Sequence, residues 1–353
     1  MKNTPKPLLP LLKQFITDLQ RGTHLKTNGA RFQKGSISKY QILYKHLADF
    51  ESYSDTQLNI IASQHLTNRK LRVEQNYWKK FYSEFSKYLY EQRNCYDNYV
   101  GRLWTTIKTL FNYLEQEKNI HTGAYRKFFY SRSEETQIVV LTPQQLHFLI
   151  YDTPFHTSLP RHLQRVKDIF VVGCTVALRF SDLIQLTPFN LIQQNESTYL
   201  LAKSQKTHTR TQVKLPEYIC EIIRNHQDKR RKTLFSPISK NQFNQNLKQI
   251  GKLAGWDYDF PKTREQNGIS KPIYKNVKTK AHYQFYDHMS SHTMRRTAIT
   301  SMLMLGVPEI MVRGISGHAP NSKEFFRYVK MVQNYLDNET DIYHEKISKI
   351  GKN

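Results

Sequence analysis

The chain is poor in cysteine, short of acids, and without a long apolar run. Its three cysteines, Cys95, Cys174 and Cys220, are too scattered for a disulfide framework, and none belongs to a CxxC pair. No apolar run reaches the roughly eighteen residues of a membrane-spanning helix, so no membrane partner is expected. The opening Met1-Lys2-Asn3-Thr4-Pro5 has neither the apolar region nor the cleavage site of a signal peptide. A cytoplasmic protein is expected. The histidines are not grouped with carboxylates or cysteines at ligand spacing, so neither a metal nor another cofactor is expected.

What is present is a globular composition with a large excess of positive charge. Hydrophobic residues make up 39% and aromatic residues 12% of 353. That length allows two domains, each with its own core. Lysine and arginine total 53 against 29 acids, a formal net charge of +24. A chain this basic repels itself unless an anion neutralises it. Nucleic acid is the usual anion, bound in a salt-dependent way through counterion release. Charge alone does not separate binding from chemistry.

The first third of the chain reads as successive amphipathic helices. Leu8, Leu11, Leu12, Phe15, Ile16 and Leu19 share one face. Ser36 or Ser38 can cap a second helix bearing Tyr40, Leu43, Tyr44, Leu47 and Phe50. A third runs from about Val73 with Trp78, Phe81, Phe85 and Leu89, and a fourth carries Leu103, Ile107, Leu110 and Leu114. Four such helices predict a small bundle with the aromatic residues as core. Lys39, Lys45, Lys79, Lys80 and Arg102 lie on the polar faces; they suit phosphate contacts, or are simply solvated. The pattern breaks into a linker over residues 126–140, which separates a domain at 1–125 from one at 141–335.

The second domain opens with Thr142-Pro143-Gln144-Gln145, a capping signature. A buried helix, Arg161 to Ala177, ends in Leu178-Arg179-Phe180, and Ser181 can cap the short helix after it. Arg179 must be paired, for instance with Asp182, or must face a ligand, because a bare buried charge is very costly. Residues 198–216 read as a hairpin with Lys203 and Lys206 at its tip, and a second hairpin is expected around Ile273 to Tyr286. A helix follows from Ser290 through Leu305, then one from Pro308, then one carrying Phe325, Phe326 and Tyr328; the charged residues 336–353 form a tail that could be a separate helix.

His292, Arg295, His318 and Tyr328 fall within forty residues of one another. Breaking a phosphodiester requires stabilising charge on the non-bridging oxygens, and arginine is shaped to contact two of them. Histidines add hydrogen bonds to the same oxygens. A hydroxyl must attack, and a proton must reach the leaving oxygen, which lysine can supply. A ring of cations would favour tyrosine as a phenolate. His292 and Arg295 stand three apart, on one helix face.

In order, Leu178-Arg179-Phe180-Ser181-Asp182-Leu183, the lysine hairpin, His292-Thr293-Met294-Arg295, Gly317-His318 and Tyr328 resemble the tyrosine recombinase (phage integrase) family over about 140–335. The four helices ahead match that family's SAM-like core-binding domain, and the segment before His292 looks most like integrases of Bacteroidetes mobile elements. The resemblance implies a mainly α fold with small β-hairpins (α+β), a helical bundle plus a mixed α/β catalytic domain, closing as a C-shaped clamp on DNA. It implies that Arg179, Arg295 and His292 hold the scissile phosphate, assisted by His318. Tyr328 then attacks to give a 3′-phosphotyrosyl link, and a 5′-hydroxyl of a partner strand resolves it without ATP or metal. Lys206 is the expected general acid and Lys203 the alternative. The expected partners are duplex DNA with short core sites, a homotetramer on that DNA, a tail exchanged between protomers, and accessory DNA-bending or directionality proteins. Ten residues separate His318 from Tyr328, one more than is usual in the family, so Arg327 takes the usual register; arginine cannot be the nucleophile. Only 35 residues precede Ser36, too few for an arm-binding domain of ordinary size. A non-catalytic DNA-binding protein and a topoisomerase are the competing expectations.

Overall fold

The computed structural model describes residues 5–61, 67–205, 209–228 and 230–350, with side chains beyond residue 333 described in part. The chain divides into two units: Met1–Thr136 with Lys262–Ile273, and Gln137–Pro261 with Tyr274–Asn353. Both are mostly helical with small antiparallel sheets. No helix among the described residues is long and apolar enough to cross a membrane.

The first unit begins with β1 (Lys6–Pro7), which runs straight into α1 (Leu8–Arg21). The expected apolar face of α1 is buried at Leu8, Leu12, Phe15, Ile16 and Leu19. α2 (Lys34–Ser54) starts after Gln33, so neither Ser36 nor Ser38 caps it. Ser38 instead bonds back to the Lys34 carbonyl inside the first turn. β2 (Asn59–Ile60) pairs with β1. α3 (Asn68–Glu91) starts earlier than the apolar pattern indicated, because Thr67 caps it by accepting from the Lys70 amide. α4 (Asp97–Lys118) completes the bundle. Trp78, Phe81, Phe85, Trp104, Phe111 and Phe129 meet in its centre, and the Trp104 indole donates to Ser86 Oγ at 3.1 Å. These aromatic residues are core and unavailable for stacking on bases.

The second unit opens as its sequence predicted. Thr142 and Gln145 exchange a reciprocal capping box at the head of α5 (Pro143–Tyr151). α6 (Thr153–Ser158) leads to α7 (Arg161–Val176), which is buried along most of its length. α7 stops where Ala177 turns left-handed at φ 55°. α8 (Phe180–Leu183) follows, and its N-cap is Arg179, not Ser181. The expected hairpin is a three-stranded sheet: β3 (Leu191–Gln194), β4 (Ser197–Lys203) and β5 (Arg210–Lys214), in order β3-β4-β5. Leu200 lies opposite Val213 and Lys203 opposite Arg210. α9 (Glu217–His226) and α10 (Lys240–Leu253) complete this part.

The chain then contributes β6 (Lys262–Gln266) and β7 (Ile269–Ile273) to the first unit. This is the second hairpin, and it lies ahead of the expected 273–286. Its Asn267-Gly268 turn has both residues at positive φ, as a two-residue hairpin loop requires. The second unit resumes with α11 (Phe285–His288), α12 (Ser291–Met304), α13 (Glu309–Ser316) and α14 (Lys323–Ile350). α14 is continuous, so the segment expected as a separate tail extends the helix of Tyr328. α12 packs closely on α7 because Gly173 has no side chain: a Cβ there would lie 2.3 Å from Met294 Sδ.

Candidate active site

α12 is started firmly. Ser290 Oγ accepts from the His292 amide at 3.3 Å, and Thr293 Oγ1 accepts from the Ser290 amide at 3.1 Å. One turn on, Arg295 is only 6% exposed. Its Nη1 donates to the Ala177 carbonyl at 2.8 Å and its Nη2 to the Ser316 carbonyl at 2.6 Å. These carbonyls lie at the C-terminal ends of α7 and α13, where the helix dipoles favour a cation. Burial, and then the charge of Arg179, pull the guanidinium down to about 10, so it stays charged at neutral pH. Two of its five N–H groups are used in this way, and Nη2 also faces the His318 ring.

Arg179 sits at the turn between α7 and α8. Its Nη1 donates to Ser204 Oγ at 3.0 Å, and Ser204 is itself buried where β4 leaves the sheet. Asp182 takes the Gln205 amide at 3.3 Å on one oxygen, and its other oxygen is buried without a partner. The expected Arg179–Asp182 pair is not among the described ion pairs; both residues instead hold the segment just after β4.

His318 follows α13. Its Nδ1 lies 2.8 Å from Ser316 Oγ, and Ser316 Oγ already donates to the Val312 carbonyl at 2.7 Å. The hydroxyl hydrogen is therefore committed, and Nδ1–H donates to Ser316. Arg295 Nη2 is 3.4 and 3.3 Å from the two ring nitrogens, almost equidistant, as a guanidinium lying against the ring would be. Burial, then Arg295 and Arg179, depress the imidazole to about 4. It is neutral at physiological pH, with a lone pair on Nε2.

Tyr328 lies on α14, 4% exposed, packed with Ala177, Ala298, Ile299, Val312 and Phe325. Its ring centroid is 6.1 Å from that of His318. Arg327 is partly exposed. Burial raises the phenol's pKa, and Glu324, one turn earlier on α14, raises it further; a hydrogen bond and charge from Arg296 act the other way. The expected phenolate is therefore not what the DNA-free protein holds, because desolvation outweighs the surrounding cations.

His292 is exposed at the head of α12, with Nε2 3.4 Å from Lys240 Nζ. Partial desolvation, then Lys240 and Arg296, hold it below the ordinary imidazole value. Lys203 is exposed at the end of β4, and Lys206 lies outside the described residues. On the first unit, Lys45, Lys79 and Arg102 are exposed. Lys39 lies over the Tyr40 ring at 4.8 Å, and Lys80 pairs with Glu84 at 3.7 Å. Among the described residues no group of three His, Cys, Asp or Glu is disposed to hold a metal.

Ser204, Arg296, Glu324 and Lys240 were not singled out from sequence, and Asp182 only as a partner for Arg179. Arg296, beside Arg295, and Glu324, one turn before Tyr328, carried a local signal of spacing. Ser204 and Lys240 carried none, since tertiary folding alone brings them to the site.

Two arginines, two histidines and a buried tyrosine are thus gathered from segments over a hundred residues apart. The chain belongs to the phage integrase family, whose pattern matches residues 161–338, just over half its length. No curated protein matches it. Among solved structures it is similar to the XerH site-specific recombinase bound to difH substrate in a pre-cleavage complex, with TM-score 0.58 and 12% identity over 97% of this chain and 98% of that one. It is also similar to the Tn1549 transposon integrase in complex with circular intermediate DNA, with TM-score 0.55 and 14% identity over 92% and 95%. A lambda integrase tetramer bound to a Holliday junction matches with TM-score 0.52 and 12% identity over 92% and 78%. At these identities the likeness is one of fold.

Proposed function

We propose that the protein is a site-specific DNA recombinase that cleaves and rejoins strands through a 3′-phosphotyrosyl intermediate. The observation that carries this reading is the meeting of Tyr328 with His318, beside an Arg295 anchored on two helix-end carbonyls. Family membership supports it, as do neighbours of the same fold that are described as recombinases and integrases bound to DNA.

In this reading Arg295 and Arg179 hold the non-bridging oxygens of the scissile phosphate and His292 donates to it; His318, whose one N–H goes to Ser316, becomes a donor to it only on taking a proton at Nε2. The Tyr328 oxygen attacks phosphorus. The phenolic proton passes to neutral His318, whose ring meets that of Tyr328, the bond to the 5′-oxygen breaks, and that oxygen takes a proton from a lysine, Lys206 or Lys203. The 5′-hydroxyl of a partner strand then attacks the phosphotyrosine and restores the tyrosine. One phosphodiester replaces another, so no ATP is consumed. Strand exchange between two duplexes needs four active sites, which fits a homotetramer on short core sites. Accessory DNA-bending proteins would set direction. Lys45, Lys79 and Arg102 are the exposed cations offered to flanking phosphates.

The test is a nicked suicide duplex carrying the true site. Wild type should form a covalent adduct, and Tyr328→Phe should form none. An adduct formed by the phenylalanine variant would remove Tyr328 as nucleophile. A wild type inert on a verified site would leave only a DNA-binding protein. A substrate with a sulfur leaving group, which needs no proton, should rescue the alanine variant of whichever lysine is the acid.

A further inference from the structure

We propose that Lys240, the first residue of α10, is a positioning residue for strand cleavage that holds His292 as its neutral Nδ1–H tautomer; the proposal rests on the recombinase reading above. Lys240 Nζ and His292 Nε2 stand 3.4 Å apart. An ammonium carries only donors, and so does a protonated imidazole. The two can share a hydrogen bond only if the ring is neutral and Nε2 carries the lone pair. The ring proton is then on Nδ1, which is left as the donor for a phosphate oxygen.

The contact is built into the fold. Ser239 caps α10, accepting from the Gln242 amide at 3.2 Å, which fixes the helix start where Lys240 sits. One turn on, Asn244 Oδ1 accepts from the Ser291 amide at 2.8 Å. Positions four apart on a helix share a face. Two side chains on one face of α10 thus reach two successive residues at the head of α12. The Asn244 tie remains when Lys240 is changed, so the helices stay registered.

The other charges around His292 favour the same state. Arg295 and Arg296 on α12 act with Lys240 and with burial to disfavour a protonated ring, and Glu324 on α14 opposes them. A neutral His292 can donate to the phosphate without competing with the arginines for the role of counter-ion. Lys240 adds its own positive charge beside that position.

The experiment uses the full chain labelled with 15N-histidine, with the His292 signals assigned by loss in His292→Gln. In wild type, His292 should show a protonated Nδ1 and should titrate below a free imidazole. In Lys240→Met it should lose the fixed tautomer and titrate higher, and Lys240→Arg should keep the wild-type behaviour. Single-turnover cleavage by Lys240→Met should fall by about tenfold or more near pH 6 and by less near pH 8, since each unit of pKa is a tenfold change in protonation. Wild-type melting in Lys240→Met would show that the fold is kept; Lys240→Gln serves if it is not. An unchanged His292 tautomer and titration in both uncharged variants would overturn the proposal, as would an equal loss of cleavage at both pH values. If wild type forms no adduct on a verified site while the tautomer still depends on Lys240, the recombinase reading falls and the Lys240–His292 assignment stands.

Discussion

Arg295 donates from Nη1 to the carbonyl of Ala177, a residue 118 positions earlier that ends α7 in the left-handed conformation. The arginine proposed to hold the phosphate is therefore also the cap of a core helix, and its second bond caps α13 at Ser316. A lysine can reach one of these carbonyls but not both in the same plane. Arg295→Lys should lose about 2–3 kcal/mol of stability, the worth of one charged hydrogen bond with its partner left buried. Urea unfolding should show this alongside loss of the covalent adduct. Undiminished stability would mean the two carbonyl bonds contribute nothing to the fold.

His318 gives the protein an acid-sensitive element. The folded ring takes a proton only near pH 4, whereas in the unfolded chain it does so near its ordinary 6.5. Between these values the unfolded chain holds a proton that the folded one lacks, so stability falls as pH drops through that window. The melting temperature should therefore fall from pH 7 to about 4.5, and by less in His318→Gln, which cannot titrate. A bound phosphodiester adds negative charge beside the ring and should raise its pKa, so DNA binding in this window takes up protons. Equal acid sensitivity in the variant would show that other groups control the loss.

The helices and the segments of the candidate site were legible for one reason: each is written locally. The apolar spacing of α1, the Thr142–Gln145 box and the order Arg179, His292, Arg295, His318, Tyr328 are all carried by neighbours in the chain. What was not legible depends on distant partners. β3 is short and polar at Gln193-Gln194, so its pairing with β4 shows no alternation. The hairpin β6–β7 is charged along Lys262-Thr263-Arg264-Glu265, because buried carboxylates hold its backbone and an apolar face does not. Lys240 meets His292 across 52 residues with no repeat or spacing to announce it. The phenol of Tyr328 was expected to be acidified by cations, a reading that counts charges but not the water removed by burial.

Glu324 opposes the chemistry in the DNA-free state. It stands four residues before Tyr328 on α14 and raises the phenol's pKa further after burial has done so. Removing its charge should lower that pKa and shift the alkaline limb of the cleavage rate to lower pH. Glu324→Gln should therefore cleave a suicide duplex faster than wild type near pH 7, by up to about tenfold if the limb moves one unit. A slower variant with an unmoved limb would assign Glu324 a supporting role instead, such as taking the phenolic proton.

Asp97 anchors the inserted hairpin to the first unit, and this anchor can be measured. The carboxylate is on the first residue of α4 and is 1% exposed. It accepts from the Asn267 amide at 2.7 Å and the Gly268 amide at 2.9 Å, the two residues of the turn. Tyr90 also hydrogen-bonds it, and its phenol is shifted upward, by burial first and then by this bond. Glu134 holds β6, the strand that leads into this turn, in the same way, through the Glu265 amide and Arg264 Nε. Gln266 adds bonds to the Tyr90 and Cys95 carbonyls at 3.2 Å. Asp97→Ala would leave two amides and a phenol without their acceptor, a loss on the order of 2–4 kcal/mol by the cost of buried unsatisfied donors. Asp97→Asn keeps one acceptor oxygen and should fall between. The discriminating measurement is hydrogen exchange at the Asn267 and Gly268 amides in the full chain. Both should be protected in wild type and exchange at least about tenfold faster in Asp97→Ala, since each 1.4 kcal/mol of local opening is a factor of ten. Gly268→Ala supplies an independent arm: φ is +79° and its Cβ would sit 2.5 Å from Arg132 Nη1, so it should loosen the same turn with Asp97 intact. Unchanged protection in both variants would mean the hairpin is held by its strand pairing alone.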